Sequence, residues 1–265
     1  MMSFRAFAFE TGRSNSSVSQ SANAVLRRFE ACALVAMSFS FRMATAFLYF
    51  PLPMSSKKHS ILIASNNGHK LQEFREIFAQ FKAPDIELLA PGALGLTLDP
   101  DETAETYLDN ARIKARAFHG LVRSSADQMI SVMADDSGLE VDALGGAPGV
   151  RSARFHRSAP NNDGCAALLR AMAGVPEDRR TARFRACIVL IEPDGREYSF
   201  EGVCEGSIAF DQRGGGGFGF DPVFRVAEDT RHLAELSAEE KHRISHRGKA
   251  AQEVIAFLRS ERFVR

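Results

Sequence analysis

The chain has 265 residues, and its 33 Lys and Arg residues balance its 33 Asp and Glu residues. A chain of zero net charge lacks the basic excess typical of nucleic-acid-binding proteins, so we expect no nucleic-acid partner. Apolar residues make up 45% of the chain, enough for the core of one large domain or two small ones. Its four cysteines show no Cys-x-x-Cys spacing, which predicts neither a zinc knuckle nor a disulfide framework and favours reduced thiols in a cytoplasmic protein.

The first 58 residues differ from the rest, because they are rich in Arg and Ser and contain only two acidic residues. That composition is typical of an organellar transit peptide. A membrane segment at Ala31–Phe50 is a second interpretation, but Arg42 divides the apolar run into pieces too short to span a bilayer. A start codon assigned too far upstream, with Met54 as the natural first residue, is the third. We favour it ahead of the transit peptide, and predict a poorly ordered extension over 1–58, a functional domain over 59–265 and no membrane association.

The first folded unit reads as strand, turn and helix. Ile61–Ser65 is a short apolar run, Asn66–His69 has turn composition, and apolar residues then recur at helical spacing from Lys70. The free N–H groups and positive dipole of a helix N-terminus favour an anion, and Lys70 adds a positive charge there. The glycines of a Walker A motif are missing, so the pattern alone is also typical of a strand–turn–helix unit that has a structural role and binds no phosphate.

A second helix is predicted over about Glu102–Phe118. Asn110 and Lys114 share one face of it, since they are four residues apart. Such a pair is normally solvated surface, and it gains a function only if its face looks into a cleft near Asp136. Glu102, at the N-terminal end, fits either a favourable interaction with the helix dipole or a metal ligand.

The strongest motif is the pair Asp135 and Asp136, followed by Ser137. We predict that the apolar run Ile130–Ala134 is a buried strand that ends there, which places both carboxylates at its C-terminal end, where open α/β sheets bind ligands. Crowded carboxylate oxygens suit Mg²⁺. A solvated Asp-Asp turn is the alternative, but the constrained loop Gly145–Gly149 that follows is typical of a functional segment.

Beyond this loop the pattern predicts a helix and three strands. The helix spans Asn161–Ala173, with Asn162 as its cap. Two strands, Arg183–Ile191 and Glu197–Glu205, flank a Pro-Asp-Gly turn and predict a hairpin. A third short strand is predicted over Gly206–Phe210.

The segment Gly214–Phe224 has five glycines in six positions, which permits close approach of its backbone to a ligand. Phe218 and Phe220 lie among the glycines and could offer stacking faces for a base. A flexible linker is the alternative, but linkers do not usually carry the Phe-Gly-Phe-Asp-Pro sequence found here.

The C-terminal segment begins with Leu236–Glu240, whose sequence matches a helix capping box. Ser245 can cap the last helix, which would place His246 and Arg247 in its first turn. The helix dipole disfavours basic residues at that position, so the pair favours an anionic or acceptor-rich ligand.

Five motifs in order make the chain resemble the inosine triphosphate pyrophosphatase (Ham1/RdgB-like) family over about residues 60–258. They are Ser65–Lys70, Glu102–Thr103 with Asn110 and Lys114, Ala134–Gly138 with Gly145–Gly149, Gly217–Pro222, and Ser245–Gly248. The resemblance implies an α/β fold, with an elongated mixed β-sheet flanked by helices and two lobes around a nucleotide cleft. It also implies a Mg²⁺-dependent homodimer that splits dITP, ITP or XTP into the monophosphate and pyrophosphate.

The resemblance further implies roles for single residues. Asp136 is the implied general base, assisted by Lys70 and Lys114. The implied metal ligands are Glu102, Asp135 and Asp136. The implied triphosphate contacts are Ser65, Asn66, Asn67, Gly68, His69, Lys70 and Ser137. The implied base pocket consists of Phe218, Gly219, Phe220, Asp221, Lys241, His246 and Arg247.

Base selectivity has a physical reason, because a 6-oxo purine presents an acceptor at O6 and a donor at N1, whereas adenine presents the reverse. We predict that N–H groups of the glycine segment, with His246 or Arg247, face O6. Two other functions remain open: a house-cleaning pyrophosphatase of different base specificity, and a non-catalytic nucleotide sensor. The intact set Asp136, Lys70 and Lys114 argues against the sensor.

Overall fold

The structure is a computed structural model that describes residues 58–263 apart from 84, 125–128 and 228. Lys57–Arg265 forms one compact unit. Within the described ranges, no helix combines the length and the apolar character that crossing a membrane requires. The predictions of a poorly ordered extension, a transit peptide, a membrane segment and an alternative start at Met54 lie outside the described residues.

The described residues form six strands and six α-helices, joined by short 3₁₀ turns. The strands are β1 His59–Ile63, β2 Ile86–Leu89, β3 Ser131–Val141, β4 Thr181–Ile191, β5 Glu197–Ile208 and β6 Phe224–Val226. The helices are α1 Gly68–Gln80, α2 Tyr107–Ser124, α3 Ser152–Ser158, α4 Gly164–Ala171, α5 Ala238–Ile244 and α6 His246–Phe263.

The strands form one mixed sheet in the order β2-β1-β3-β4-β5-β6. β1 pairs in parallel with β2 and β3, and the remaining pairs are antiparallel. After β1 the chain forms β2 on one side of it and then β3 on the other, so the strand order reverses at β1. Ligands of open sheets bind at the carboxyl ends of the strands at such a switch point. The predicted mixed sheet with flanking helices is confirmed.

The core lies on both faces of this sheet. At the parallel end, α1 and α6 pack on one face around Ile63 and Met133, and α2 packs on the other around Val132 and Ala134. A third cluster, which includes Phe184, fills the antiparallel end with α4. Because successive side chains of a strand point to opposite faces, the alternation of Met133 and Ala134 also sets the directions of the two aspartates that follow them.

The prediction that the central strand ends at Ala134 is wrong, because β3 continues to Val141. Its antiparallel partner β4 runs alongside it as far as the Val141–Ala182 pair and supplies hydrogen bonds along that length. The second helix begins at Tyr107 rather than near Glu102, since the Thr106 hydroxyl accepts from the Asp109 N–H (3.1 Å) and acts as an N-cap.

Other boundaries also differ from the predictions. The helix expected from Asn161 begins at Gly164, because Asp163 rather than Asn162 accepts from the Ala166 N–H. The expected strand Gly206–Phe210 is the end of β5, and β2, β6 and α3 were not predicted. The hairpin β4–β5 is confirmed.

Both predicted caps of the C-terminal helices are present. The Ser237 hydroxyl accepts from the Glu240 N–H while the Glu240 side chain accepts from the Ser237 N–H, which is the expected capping box. The Ser245 hydroxyl accepts from the Gly248 N–H (3.1 Å) at the start of α6. His246 and Arg247 therefore occupy the first turn of α6, as predicted.

Candidate active site

A cavity of about 870 Å³ opens beside the carboxyl end of β1. It is lined by most of the predicted site residues, namely Ser65, Asn66, Asn67, His69, Lys70, Glu102, Lys114, Asp136, Ser137, Phe218, Gly219, Phe220, Asp221, Lys241, His246 and Arg247. Two predicted residues, Gly68 and Asp135, are not among its lining residues. The fold therefore brings together motifs that are spread over almost 200 residues of sequence.

The cavity exists because β1 is shorter than β3. β1 ends at Ile63, opposite Met133, and the Ala64 N–H adds one more hydrogen bond to the Met133 carbonyl (2.8 Å). Beyond this point, no strand of the described residues pairs with β3 on that edge. Two lysines take its place: the Asp135 carbonyl accepts from Lys114 Nζ (2.8 Å) and from Lys70 Nζ (3.4 Å). Two ammonium groups thus converge on one backbone oxygen at the cavity wall.

Asp136 points from β3 toward α2. Its Oδ2 accepts from the Asn110 amide at 3.2 Å, and its Oδ1 lies 3.6 Å from Lys114 Nζ. Lys114 also reaches Glu102 Oε1 at 2.8 Å. The helix face with Asn110 and Lys114 therefore does look toward Asp136. Burial raises the pKa of Asp136 above its usual value, although the charges of Lys114 and Lys70 act in the opposite direction. A carboxylate with a raised pKa is suited to accept a proton.

Asp135 points to the opposite face of β3. Its Oδ1 lies 2.9 Å from Lys70 Nζ, and its Oδ2 lies 3.1 Å from Arg247 Nε. Burial alone would raise the pKa of Asp135, but the charges of Lys70 and Arg247 outweigh it and hold the pKa well below its usual range. Both carboxylate oxygens are therefore already paired with cations.

The predicted three-carboxylate metal set does not assemble. Glu102 and Asp136 contact the same ammonium group, whereas Asp135 lies on the other face of the strand. Among residues 58–263, with the gaps given above, no three His, Cys, Asp or Glu side chains are arranged to hold a metal ion. The alternation of side chains along β3 is the physical reason, because adjacent residues of a strand cannot point to the same face.

A buried ionic network behind the cavity was not predicted from the sequence. Glu73, in α1, contacts Arg247 and also lies 3.1 Å from Lys241 Nζ. Lys241 lies 2.8 Å from Asp221, which in turn accepts from the Phe218 N–H (2.8 Å). The sequence gives one indication of this network. Glu73 is an acidic residue on the apolar face of an amphipathic helix, four positions before Ile77, and a buried acid normally needs a charged partner.

The first turn of α1 is less open to an anion than its sequence suggests. Asn67 is the N-cap, and its side-chain oxygen accepts from the N–H groups of His69 (3.0 Å) and Lys70 (3.3 Å). The Ser65 hydroxyl accepts from the Asn67 N–H at 3.2 Å. Because these three donors are already satisfied, fewer helix N–H groups are free for an anion here than the sequence suggests.

The two phenylalanines of the glycine segment have different surroundings. The Phe218 ring stacks on His69, with centroids 5.6 Å apart and planes 25° apart, and has Lys241 Nζ 5.1 Å from its centroid. The Phe220 ring is almost fully buried and meets the His156 ring edge-on at 5.7 Å. Phe218 is therefore the half-buried ring of the cavity wall, in contact with His69 and Lys241, while Phe220 mainly packs in the core.

Glycine is required within this segment at Gly217. Its φ is +71°, and a Cβ added there would lie 2.0 Å from Asp221 Oδ2. Two N–H groups of the segment that were expected to face a base are already bonded within the protein. The Gly216 N–H donates to the Ala234 carbonyl (3.0 Å), and the Phe218 N–H donates to Asp221.

His246 and Arg247 differ in how fully they are already bonded. The Arg247 guanidinium donates to Glu73, Asp135 and Ser137. The His246 ring lies flat on Phe184, with centroids 4.7 Å apart, and its buried Nδ1 has no hydrogen-bond partner in the part of the chain that the structure describes. Burial, with the nearby charge of Arg247, lowers the pKa of His246 well below its usual value, so its ring is neutral. Of the two candidates, His246 has the free polar atom.

Comparison with known proteins agrees with this geometry. The model of the Ham1 family matches residues 61–257. A dITP/XTP pyrophosphatase of Desulforamulus reducens is 43% identical over 200 residues, which cover 75% of this chain and 94% of the relative. One from Symbiobacterium thermophilum is 44% identical over 202 residues, which cover 74% and 92%.

Solved structures give the same result. The Ham1 protein of Staphylococcus aureus superimposes with a TM-score of 0.64 at 36% identity, covering 76% of this chain and 99% of that one. A HAM1 protein of Coxiella burnetii gives a TM-score of 0.63 at 34% identity with the same coverage. The chain belongs to the Ham1 family.

Proposed function

We propose that this protein hydrolyses noncanonical purine nucleoside triphosphates, namely dITP, ITP and XTP, to the monophosphate and pyrophosphate. It would thereby remove deaminated purines from the nucleotide pool. The observation that carries the proposal is the position of Asp136, held by Asn110 and Lys114 beside the carbonyl on which Lys70 and Lys114 converge. The relatives named dITP/XTP pyrophosphatases support this substrate class.

The proposed chemistry needs a proton acceptor and positive charge. A water molecule attacks the α-phosphorus, and Asp136 takes its proton as the new oxygen–phosphorus bond forms. The bond between the α-phosphorus and the bridging oxygen breaks, and its electron pair leaves with pyrophosphate. Lys70 and Lys114 stabilise the negative charge that develops on the phosphate oxygens. Asn110 keeps the carboxylate oriented toward the cavity.

We assign Mg²⁺ to the side of the cavity where Glu102 and Asp136 both contact Lys114. Glu102 and Asp136 contact the same Lys114 ammonium from one side of β3, and each keeps a carboxylate oxygen outside that ion pair, which fits a divalent cation, whereas Asp135 lies on the other face with both oxygens paired with Lys70 and Arg247. When bound, the ion would neutralise phosphate charge and supply Lewis-acid catalysis.

Base selection is assigned to Phe218 and His246. Phe218 provides a ring for stacking, and the neutral His246 provides a ring nitrogen that no described group satisfies. A site that hydrogen-bonds the O6 and N1 edge of a 6-oxo purine leaves buried polar groups unpaired when adenine enters. Such a mismatch can lower activity by roughly 10⁴–10⁵-fold.

The remaining expectations are also part of the proposal. We propose that the enzyme is a cytoplasmic homodimer, that residues 59–265 carry the activity, and that the extension is dispensable. The Ham1 family match over 61–257 supports the domain boundary. Light scattering of the purified protein tests the dimer, and comparison of the full chain with a chain starting at Met54 tests the extension.

A substrate panel tests the activity. Pyrophosphate and nucleoside monophosphate are measured after incubation of the full chain with ITP, dITP, XTP, ATP or GTP and Mg²⁺. Turnover of the first three with little of ATP or GTP is expected. Turnover of a modified pyrimidine triphosphate instead would indicate the pyrophosphatase of other base specificity. Tight nucleotide binding without turnover would indicate a sensor.

A further inference from the structure

The cavity contains positive charge that its inner ionic network does not neutralise. Among the described residues, the Lys and Arg side chains that line it are Lys70, Lys114, Arg154, Arg157, Lys241 and Arg247. Four of these form ion pairs with buried or half-buried carboxylates. No described carboxylate lies within ion-pair distance of Arg154 or Arg157, so these two cations stand outside the ion-pair network, although Asp99 and Asp101 also line the cavity.

The four inner cations are already balanced by the carboxylates that pair with them. The acids paired with the four inner cations are Glu73, Glu102, Asp135, Asp136 and Asp221. This network therefore carries one more carboxylate than cation. A nucleoside triphosphate brings several further negative charges, and Mg²⁺ neutralises only two of them. Lys70 and Lys114 share their charge with these acids, so cations outside the network would add to the attraction for a polyanion.

Arg154 reaches the segment that bears the proposed metal ligand Glu102. The Arg154 Nη2 is 3.4 Å from the Glu102 carbonyl, so this side chain crosses the cavity mouth to the segment that bears Glu102. Arg157 lies three residues further along α3, which places it beside Arg154 on the same helix surface. Both side chains are exposed and line the cavity.

The helix that carries these arginines is fixed to the strand that carries Asp136. At its first residue, the Ser152 hydroxyl accepts from the Leu139 N–H (2.9 Å) and donates to the Gly149 carbonyl (2.7 Å). The Leu139 donor lies only three residues beyond Asp136 on β3. The start of the helix that bears both arginines is therefore fixed relative to the strand that bears the proposed general base.

We propose that Arg154 and Arg157 form a subsite for the terminal phosphates of the substrate, and for pyrophosphate after cleavage. The proposal rests on the proposed function and adds residues that the resemblance does not assign. With the α-phosphate at Asp136, the β- and γ-phosphates extend past Glu102 toward α3. The planar guanidinium group suits phosphate oxygens, because it can donate two parallel hydrogen bonds.

Direct binding of pyrophosphate tests this subsite. The full chain is titrated with pyrophosphate in the presence of Mg²⁺ by calorimetry, and separately with inosine monophosphate. The variant is Arg154→Gln with Arg157→Gln, and the matched control is Arg151→Gln, an exposed arginine on the same segment that does not line the cavity. We expect at least about tenfold weaker pyrophosphate binding by the double variant, with little change for inosine monophosphate. The control should bind both ligands as the wild type does.

Two results would overturn the proposal. One is pyrophosphate binding by the double variant that equals that of Arg151→Gln. The other is equal weakening of pyrophosphate and monophosphate binding, which would indicate a general structural change. Replacing both arginines by Lys keeps the charge and should restore part of the pyrophosphate affinity. Failure of the wild type to hydrolyse dITP, ITP or XTP would contradict the proposed function, whereas the pyrophosphate comparison is read without turnover.

Discussion

The Asn110 side chain joins Asp136 to the segment that bears Glu102. Its amide nitrogen donates to Asp136 Oδ2 (3.2 Å) and to the Ala104 carbonyl (3.3 Å), and its oxygen accepts from the Ala104 N–H (2.9 Å). Asn110 is completely buried, so water does not compete for these bonds. One side chain thus orients the proposed base and holds the loop with the proposed metal ligand.

Replacement of Asn110 by Ala should lower kcat more than it raises KM. The carboxylate of Asp136 loses its orienting donor, and the Ala104 backbone groups lose their partner. The free energy of unfolding should fall by about 1–3 kcal/mol, the usual cost of unsatisfied buried polar groups. Steady-state kinetics with ITP and urea denaturation measure the two effects.

A double-mutant cycle gives this prediction its control. If Asn110 acts through Asp136, the kinetic effect of Asn110→Ala should largely disappear when Asp136 is already Asn. An equal effect of Asn110→Ala on kcat in both backgrounds would contradict the orienting role and leave only a structural one.

Lys70→Ala should reduce both triphosphate affinity and rate. The ammonium group contacts the Asp135 carbonyl and carboxylate at the cavity wall, and its loss removes positive charge where phosphate charge develops. We expect kcat/KM for ITP to fall by about 10²-fold or more. Lys249→Ala is the matched control, because Lys249 is exposed and bonds the Val203 carbonyl away from the cavity. An unchanged KM in Lys70→Ala would argue against the phosphate contact.

Glu73 should make stability depend on pH. Burial alone would raise the pKa of Glu73, but the charges of Arg247 and Lys241 outweigh it and lower the pKa to about 2, from 4.5. A carboxylate whose pKa is lowered on folding stabilises the protein above its unfolded pKa, and this contribution is lost as pH falls from about 4.5 through about 2. The shift corresponds to about 3 kcal/mol at neutral pH.

Denaturation of Glu73→Gln measures this contribution. The variant should be less stable than the wild type by about 3 kcal/mol at pH 7, with the difference shrinking as the pH approaches 2. Glu253→Gln, an exposed glutamate of α6, is the control and should change little. A stability difference that stays constant over the whole pH range would show that the ionisation of Glu73 is not its source.

Glu102→Gln should weaken Mg²⁺ binding without abolishing substrate binding. The half-maximal Mg²⁺ concentration for ITP hydrolysis should rise about tenfold or more, because one of two carboxylate donors is lost. Glu105→Gln is the control, since Glu105 is exposed and lies outside the cavity lining. Identical Mg²⁺ dependence in the two variants would remove Glu102 from the metal site, and full activity in EDTA would remove the metal from the proposal.

Local features of the site could be predicted from the sequence, because the residues that determine them are close together in the chain. The strand–turn–helix at Lys70, the capping box at Ser237 and the cap at Ser245 all depend on contacts within a few residues. The resemblance that implied the mixed sheet also rests on short motifs, each made of residues that are close together in the chain.

Features that depend on distant partners could not be predicted. The continuation of β3 beyond Asp136 depends on β4, about fifty residues later in the chain. Glu73 meets Arg247 across 174 positions, so neither residue shows the pair locally. The opposite directions of Asp135 and Asp136 follow from this unpredicted strand, which is why the three expected metal ligands do not face one another.

The most direct test of the account is pyrophosphate release from ITP by wild type and Asp136→Asn. The wild type should hydrolyse ITP far faster than ATP, and the variant should lose about 10²–10⁴-fold in kcat, the usual contribution of a general base. Asp142→Asn, an exposed aspartate of the same region that pairs with Arg183, should retain activity. Wild-type rates in Asp136→Asn would contradict the proposed mechanism at its centre.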